Sequence, residues 1–405
     1  VKAARTTAPT VRKLEEDGFL RIATRAELRN PLSGHTLLRT GPLALMPEQA
    51  TSLDLCRRAM DTLDPRVVLL YGVTGSGKTE VYLQSIQHAI DKGQGAIVLV
   101  PEISLTPQTV ERFQSRFGDR IAVLHSSLST GERHDEWHRI HDGQASIVIG
   151  ARSALFAPVR NLGLIVVDEE HEPTYKQEES PRYHARDVAV MRGHMEGCAV
   201  VLGTATPSLE SMQNVHEGKY ALSVLSHRVD HRRMPAVTVV DLRLEKQREG
   251  RINVLSKDLL RAMQDRLNRR EQCILFLNRR GFSTSLTCTQ CGFVAECGNC
   301  SVAMTYHKRR HELCCHICGE RNLVPAACPN PDCRDPDFRY GGMGTQKVEE
   351  VVGKIFKQSV IERMDADTTS GKGSHARILV RFRAGAIDIL IGTQMLAKGL
   401  HFPNV

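Results

Sequence analysis

Two groups of residues in this chain have the types and spacing of ligating or reacting groups. The first is a run of eight cysteines in four pairs, Cys288/Cys291, Cys297/Cys300, Cys315/Cys318 and Cys328/Cys333, all within 46 residues. Three pairs have the C-x-x-C spacing that lets two thiolates reach one tetrahedral metal. The fourth, Cys328-Pro-Asn-Pro-Asp-Cys333, keeps within the two to four intervening residues of structural zinc sites. Eight thiolates make two four-thiolate sites, and spacing alone leaves three ways of combining the pairs. Metal is a better reading than disulfides, because the rest of the chain carries a nucleotide site, which belongs where thiols stay reduced. His307, His311 and His316 are alternative ligands, but eight thiolates already fill two tetrahedral shells. Cys314 is either a spare or a competing ligand, and Cys56, Cys198 and Cys273, alone in apolar stretches, read as core residues.

The second group suits phosphate chemistry. Val67-Val-Leu-Leu-Tyr-Gly-Val-Thr-Gly-Ser-Gly-Lys-Thr79 reads as a buried strand, a tight glycine loop and the start of a helix running through Ile90. This is the context a P-loop demands. Backbone N–H groups of Gly72, Val73, Thr74, Gly75, Ser76 and Gly77 would face the phosphates of ATP, with Lys78 reaching the β- and γ-phosphates and Thr79 ligating Mg²⁺. The complementary acid follows at the end of another apolar run, Leu164-Ile-Val-Val-Asp-Glu-Glu-His171. There Asp168 would hold Mg²⁺ and Glu169 would polarise an attacking water.

The elements that must position these groups follow an α/β pattern. Strands alternate with helices from Leu43 to about Ser226, the signature of a parallel sheet with crossovers. Arg228-Val-Asp-His-Arg-Arg233 reads as a linker into a second lobe with strands Val237 to Val240, Cys273 to Leu277 and Ile387 to Ile391. The cysteine segment is then an insertion in that lobe, and with few large apolar residues it needs metal to fold. Ahead of lobe one, an amphipathic helix from Thr10 to Asp17 is stopped by Gly18 and followed by a strand-like Phe19 to Ile22, which looks like the tail of a winged-helix module. The resulting division is 1–40, a partial winged-helix module; 41–227, lobe one; 228–287, the first part of lobe two; 288–333, the zinc insertion; and 334–405, the rest of lobe two.

The 405 residues are 41% hydrophobic and 25% charged, enough for two or three domains with cores of their own. Apolar runs such as Val67 to Tyr71, Ala96 to Val100 and Leu164 to Val167 suit buried strands and fall far short of a bilayer span. No signal peptide is visible, and the reading is of a cytoplasmic protein without a membrane partner. The formal charge of +8 falls to +4 once eight thiolates and two Zn²⁺ are counted. That balance fits either a nucleic-acid tracker with local basic surface or an ordinary solvated one.

The nucleotide motifs resemble those of superfamily 2 helicases and translocases. Others follow in the right order: Pro47-Glu-Gln49, Val100-Pro-Glu-Ile-Ser-Leu-Thr-Pro107, Ile149-Gly-Ala-Arg-Ser-Ala-Leu-Phe156, Gly203-Thr-Ala-Thr-Pro-Ser208, Phe276-Leu-Asn-Arg-Arg-Gly-Phe282 and Gly392-Thr-Gln-Met-Leu-Ala-Lys-Gly399. The resemblance implies two RecA-like P-loop lobes. In them Gln49 reads adenine, His171, Thr204 and Thr206 couple hydrolysis to DNA, and Arg279, Arg280, Thr393, Lys398 and Gly399 serve the second lobe's DNA- and ATP-facing motifs.

Eight cysteines inside the second lobe, with Asp168-Glu-Glu-His-Glu-Pro-Thr-Tyr-Lys-Gln177, Pro181-Arg-Tyr-His-Ala-Arg-Asp-Val188 and Gly392 to Asn404, resemble the bacterial replication-restart helicases, the primosomal protein N′ family, over nearly all of residues 40–405. The family implies a 3′-to-5′ DNA helicase that recognises stalled forks and helps reload the replicative helicase. Its partners would be forked and single-stranded DNA, single-strand-binding protein and other primosome or helicase-loading proteins. The family also favours nested zinc sites, Cys288, Cys291, Cys328 and Cys333 at one and Cys297, Cys300, Cys315 and Cys318 at the other. In the loop after Asp-Glu-Glu-His, Tyr175 and Tyr183 are either stackers for single-stranded DNA or ordinary loop packing. The chain departs from the family in its longer last cysteine loop. It also lacks the module that binds a 3′ end and the late motif that supplies an arginine to the γ-phosphate, so weak turnover is expected of the chain as written. Two rival readings are a double-strand translocase that separates no strands and a zinc-organised binding platform with an incidental ATPase.

Overall fold

Apolar runs of four to seven residues, bounded by glycine or polar turns, form the strands of a parallel sheet covered on both faces. The computed structural model describes residues 6–22, 38–101, 107–126, 128–229, 235–242, 244, 255–277, 285–307, 311–315, 318–340, 345–364, 374–393, 396, 402 and 404–405. Its larger sheet comprises β1 (Val67–Gly72), β2 (Gly95–Leu99), β3 (Ile121–Leu124), β4 (Ile147–Gly150), β5 (Leu162–Asp168), β8 (Ala199–Thr204) and β9 (Ala221–Leu225). The order is β3-β4-β2-β5-β8-β1-β9, with every neighbouring pair parallel. Outside it, the two-residue strands β6 (Lys176–Gln177) and β7 (Tyr183–His184) pair antiparallel.

Strand alternation divides lobe one into two cores. Val68, Leu70, Val98, Val166 and Val201 pack under helices α2 (Pro47–Thr62) and α3 (Lys78–Asp91) through Leu53, Met60, Val81 and Ile86. Leu69, Ile97, Ile165, Val167 and Leu202 face the other way, against Ile140 of α5 (Thr130–His141) and Ala185 and Ala189 of α6 (Ala185–Glu196). Because β5, β8 and β1 are adjacent, their C-terminal ends bring three loops to one sheet edge, where ligands of open parallel sheets bind.

The second sheet is also parallel, in the order β10-β17-β16, from β10 (Cys273–Phe276), β16 (Ile361–Met364) and β17 (Ile389–Gly392). Helices Lys257–Asn268 and Thr345–Ile355 cover one face through Met263, Val348 and Val352, while helix Ser374–Arg383 covers the other through Ile378, Leu379 and Phe382. The expected strands at Cys273 and Ile387 are present, within two residues of their predicted bounds. The one at Val237 to Val240 is not: the segment forms no strand and pairs with none among the described residues, and Val237 and Val239 are 84% and 92% exposed. Phe19 to Ile22 likewise forms no strand. It follows helix α1 (Ala8–Glu16) as an exposed turn and coil.

Between β10 and β17 lies the cysteine segment, which begins and ends on a two-stranded neck. Here β11 (Leu286–Cys288) pairs antiparallel with β15 (Phe338–Tyr340). Inside the neck, β12 (Thr305–His307), β13 (Glu312–Cys314) and β14 (Arg321–Leu323) form an antiparallel meander. Its apolar cluster is small, centred on Leu286, Met304, Tyr306 and Leu313. Among the described residues, no helix is long and apolar enough to cross a membrane.

Candidate functional site

At the end of β1 the chain turns through Gly75 and Gly77, both at φ near +80°, and Gly77 caps α3, whose first residue is Lys78. A side chain at 77 is excluded twice over, by this left-handed backbone and by Gln49, whose Nε2 would stand 2.2 Å from a Cβ there. Gln49 is buried. Its Oε1 accepts from Met46 N–H at 2.9 Å and its Nε2 donates to the Ser76 carbonyl at 2.8 Å, so the side chain expected to read adenine braces the phosphate loop. Lys78 Nζ donates to the Gly72 carbonyl at 2.7 Å. Burial pulls its pKa below the ordinary lysine range, against the opposing pull of Asp168 and Glu169.

Gly75, Gly77 and Lys78 line a cavity of about 630 Å³ that also takes in Thr79 and Arg228. The segment leaving β9 closes over the loop, with Val229 N–H donating to the Gly75 carbonyl at 3.0 Å. Across the cavity, Asp168 ends β5. Burial, and then the neighbouring charge of Glu169, raises its carboxyl to about 6, against the bond it accepts from Tyr82 Oη at 3.0 Å. Tyr82 reaches Asp168 only because residue 203 is glycine: a Cβ there would lie 1.6 Å from the phenol oxygen. Glu169 takes a left-handed backbone, φ +50°, which is unusual for glutamate and is the kind of local strain that gathers at functional turns.

The next two acidic-turn residues fasten β5 to β8. His171 Nδ1 lies 2.8 Å from Thr204 Oγ1 and 3.5 Å from Thr206 Oγ1, while Thr206 N–H donates to Thr204 Oγ1 at 3.0 Å. His171 also approaches Glu169 Oε2 at 3.6 Å. Glu170, fully buried, accepts from Arg186 Nη1 (3.2 Å), Ser208 N–H (2.8 Å), Ser208 Oγ (3.0 Å) and Ser211 Oγ (2.9 Å). It therefore ties the acidic turn to α7 (Leu209–His216), which Ser208 caps. Breaking a buried, satisfied pair leaves a stranded charge, so Glu170→Ala is expected to cost about 3–5 kcal/mol of stability, read as a lowered thermal midpoint. An unchanged midpoint would contradict this anchoring role.

The two tyrosines separate. Tyr175 is 1% exposed, and its Oη donates to the Asp168 carbonyl at 2.7 Å, so it takes the packing role and offers no ring face to a base. Tyr183 is half-buried, edge-on to Phe156 at 5.3 Å, with the Arg152 guanidinium 6.0 Å over its ring. Phe156 is 56% exposed. Of the second-lobe residues, Thr393 is buried just after β17, with no hydrogen-bond partner for its Oγ1 among the described residues. Arg279, Arg280, Lys398 and Gly399 lie outside the described residues.

The eight paired cysteines gather in the nested arrangement. Sulfurs of Cys288, Cys291, Cys328 and Cys333 lie within 4.8 Å of one another, as do those of Cys297, Cys300, Cys315 and Cys318. Individual separations of 3.5–3.7 Å match the roughly 3.8 Å edge of a tetrahedron built on Zn–S bonds of about 2.3 Å. Each pair is followed by a left-handed residue, Gly292, Ser301, Gly319 or Arg334, which turns the chain so that both thiols face one point. In the longer last loop Asn330 absorbs the extra residues, accepting from the N–H groups of Asp332, Cys333 and Arg334 at 3.0–3.1 Å. The backbone N–H of Phe293 is the chief cause that brings the Cys291 thiol down to about 7, while burial pushes the Cys328 thiol of the same set up to about 12.

Residues 49–215 match the family described as DEAD/DEAH box helicase, and residues 297–322 match the PriA DNA helicase Cys-rich region. The replication restart protein PriA of Bacillus subtilis is 48% identical over 404 residues, covering 100% of this chain and 50% of that protein. The chain belongs to the PriA family. PriA of Haemophilus influenzae is 47% identical over 396 residues, 97% of this chain and 53% of its own, and PriA of Chlamydia pneumoniae 42% over 408 residues, 100% and 54%. The chain thus spans about half the length of the curated PriA relatives it matches. This membership bears out the two-lobed helicase fold with a cysteine-rich insertion. Within this PriA chain, sequence reasoning missed Tyr82, Glu170, Arg228 and Phe156. Only the exposed aromatic in the Ala-Leu-Phe156 turn carried any signal.

Proposed function

We propose that this chain is the motor of an ATP-dependent DNA helicase that moves 3′ to 5′, recognises stalled or abandoned forks and initiates primosome assembly. The observation that carries this reading is the convergence of Lys78, Asp168 and Glu169 on one cavity, with His171 linking their turn to Thr204 and Thr206. Lys78 and the N–H groups of the loop bind the phosphates, Thr79 and Asp168 would hold Mg²⁺, and Glu169 polarises the attacking water. Mg²⁺, when bound, neutralises charge on the β- and γ-phosphate oxygens.

His171, Thr204 and Thr206 pass the hydrolytic state across β8 to the DNA-facing surface. Tyr183 and exposed Phe156 stack on single-stranded bases, while Arg279, Arg280, Thr393, Lys398 and Gly399 act from lobe two. Lobe one occupies 41–227, lobe two 228–287 and 334–405, and the insertion 288–333, which holds two Zn²⁺ and offers a platform to single-strand-binding and helicase-loading proteins. Segment 1–40 ends a winged-helix module.

The test is strand displacement by the full-length protein on forks carrying either a 3′ or a 5′ single-stranded arm. Release from the 3′-armed fork is expected. Hydrolysis of ATP without release would indicate a double-strand translocase instead, and release only with the 5′ arm would reverse the polarity.

A further inference from the structure

The two cysteine sets differ in their neighbours. Among the described residues, no carboxylate hydrogen-bonds a sulfur of the first set, and the N–H of Gln290 stands 3.4 Å from Cys288 Sγ. Beside the second set stands Glu320, whose Oε2 is 2.8 Å from Cys297 Sγ. Asn299 Nδ2 at 3.2 Å and Asn322 Nδ2 at 3.5 Å hold that carboxylate in place. Cys318 is also the one exposed thiol of the eight, whereas every sulfur-bearing residue of the first set is buried or half-buried.

Zinc takes cysteine as thiolate, so in the loaded site the Glu320 carboxylate would stand against sulfur carrying charge of its own sign. Four thiolates around Zn²⁺ leave a net charge of −2, and the fixed carboxylate then adds a third negative charge against the cluster. Carboxylate oxygen is itself a zinc ligand. Exchange would need no oxidant: the bond from zinc to Cys318 sulfur would break, one from zinc to Glu320 oxygen would form, and the released thiolate would take a proton from water.

We propose that Glu320 makes the second zinc the exchangeable one of the two, by weakening the four-thiolate site and taking up a metal position when Cys318 departs. This rests on the reading that both sets hold zinc. The test uses full-length protein first assayed for two equivalents of zinc, then mixed with excess chromogenic chelator, with N-ethylmaleimide added at half release and labelled peptides mapped. Two phases are expected, the fast one exposing Cys297, Cys300, Cys315 and Cys318 to label. In Glu320→Gln the fast phase should slow about tenfold, the low end of what altering a neighbour of a metal ligand does. The slow phase should not move, and Glu320→Ala should act in the same direction. A single phase, first labelling at Cys288 or Cys291, or a fast phase unmoved or quickened by both variants would overturn the proposal. Absence of zinc at the outset would instead remove the underlying zinc reading, so the two failures are told apart.

Discussion

Lys78→Ala in the full-length protein is expected to lower DNA-stimulated ATP hydrolysis by about 10²–10³ or more, the scale seen when one preorganised group that stabilises transition-state charge is removed. The lysine lines the cavity and sits at the first turn of α3, where the helix N-terminus adds its own positive end. Its partner in this structure is the Gly72 carbonyl, a bond that an exposed phosphate oxygen readily replaces. Alanine at 78 keeps the helix and removes the charge, so the fold should persist and DNA should still bind. The measurement is turnover with and without single-stranded DNA, alongside DNA affinity. Full DNA-dependent turnover by the variant would remove Lys78 from the mechanism, and joint loss of DNA binding would point to unfolding.

Stripping zinc is expected to unfold the segment between the neck strands while leaving lobe one intact. Four large apolar side chains, Leu286, Met304, Tyr306 and Leu313, anchor its cluster, each contributing about 1.5–3 kcal/mol on burial. Ordering each residue of the segment costs about 1–2 kcal/mol, so burial on that scale cannot hold its length. Structural zinc contributes about 10–16 kcal/mol per site in small domains, so two such sites outweigh the burial of those four side chains. Hydrogen exchange should therefore show β12, β13 and β14 losing protection after chelation, with β1 and β5 unchanged. Retained protection in a protein shown to be free of zinc would mean that packing alone folds the insertion.

Local pattern made some of this molecule legible and left the rest hidden, for a physical reason. The phosphate loop, the acidic turn and the cysteine pairs are short strings in which chemistry and spacing coincide, and the structure brings each together where the sequence placed it. Tyr175 reads the same as Tyr183 in a polar loop. What separates them is that the turn Pro173–Tyr175 folds one phenol onto the Asp168 carbonyl. Glu170 looks like one more acid in a charged run, yet its four donors come from residues 16 to 41 positions away. The need for glycine at 203 is invisible without Tyr82, 121 positions earlier. Val237 to Val240 has strand-forming composition, but strand propensity is realised only where a neighbouring strand and a covered face exist; the segment pairs with no strand among the described residues, and Val237 and Val239 are exposed.

The antiparallel pairing of Leu286 with Tyr340 and Cys288 with Phe338 brings the two ends of a long insertion side by side. A module joined to its host by one such stalk can be lengthened, trimmed or exchanged without altering the register of the strands that flank it. The same stalk gives an engineer a cut point: joining the chain across the paired residues Leu286 and Tyr340 through a tight turn would delete the entire metal module in one piece.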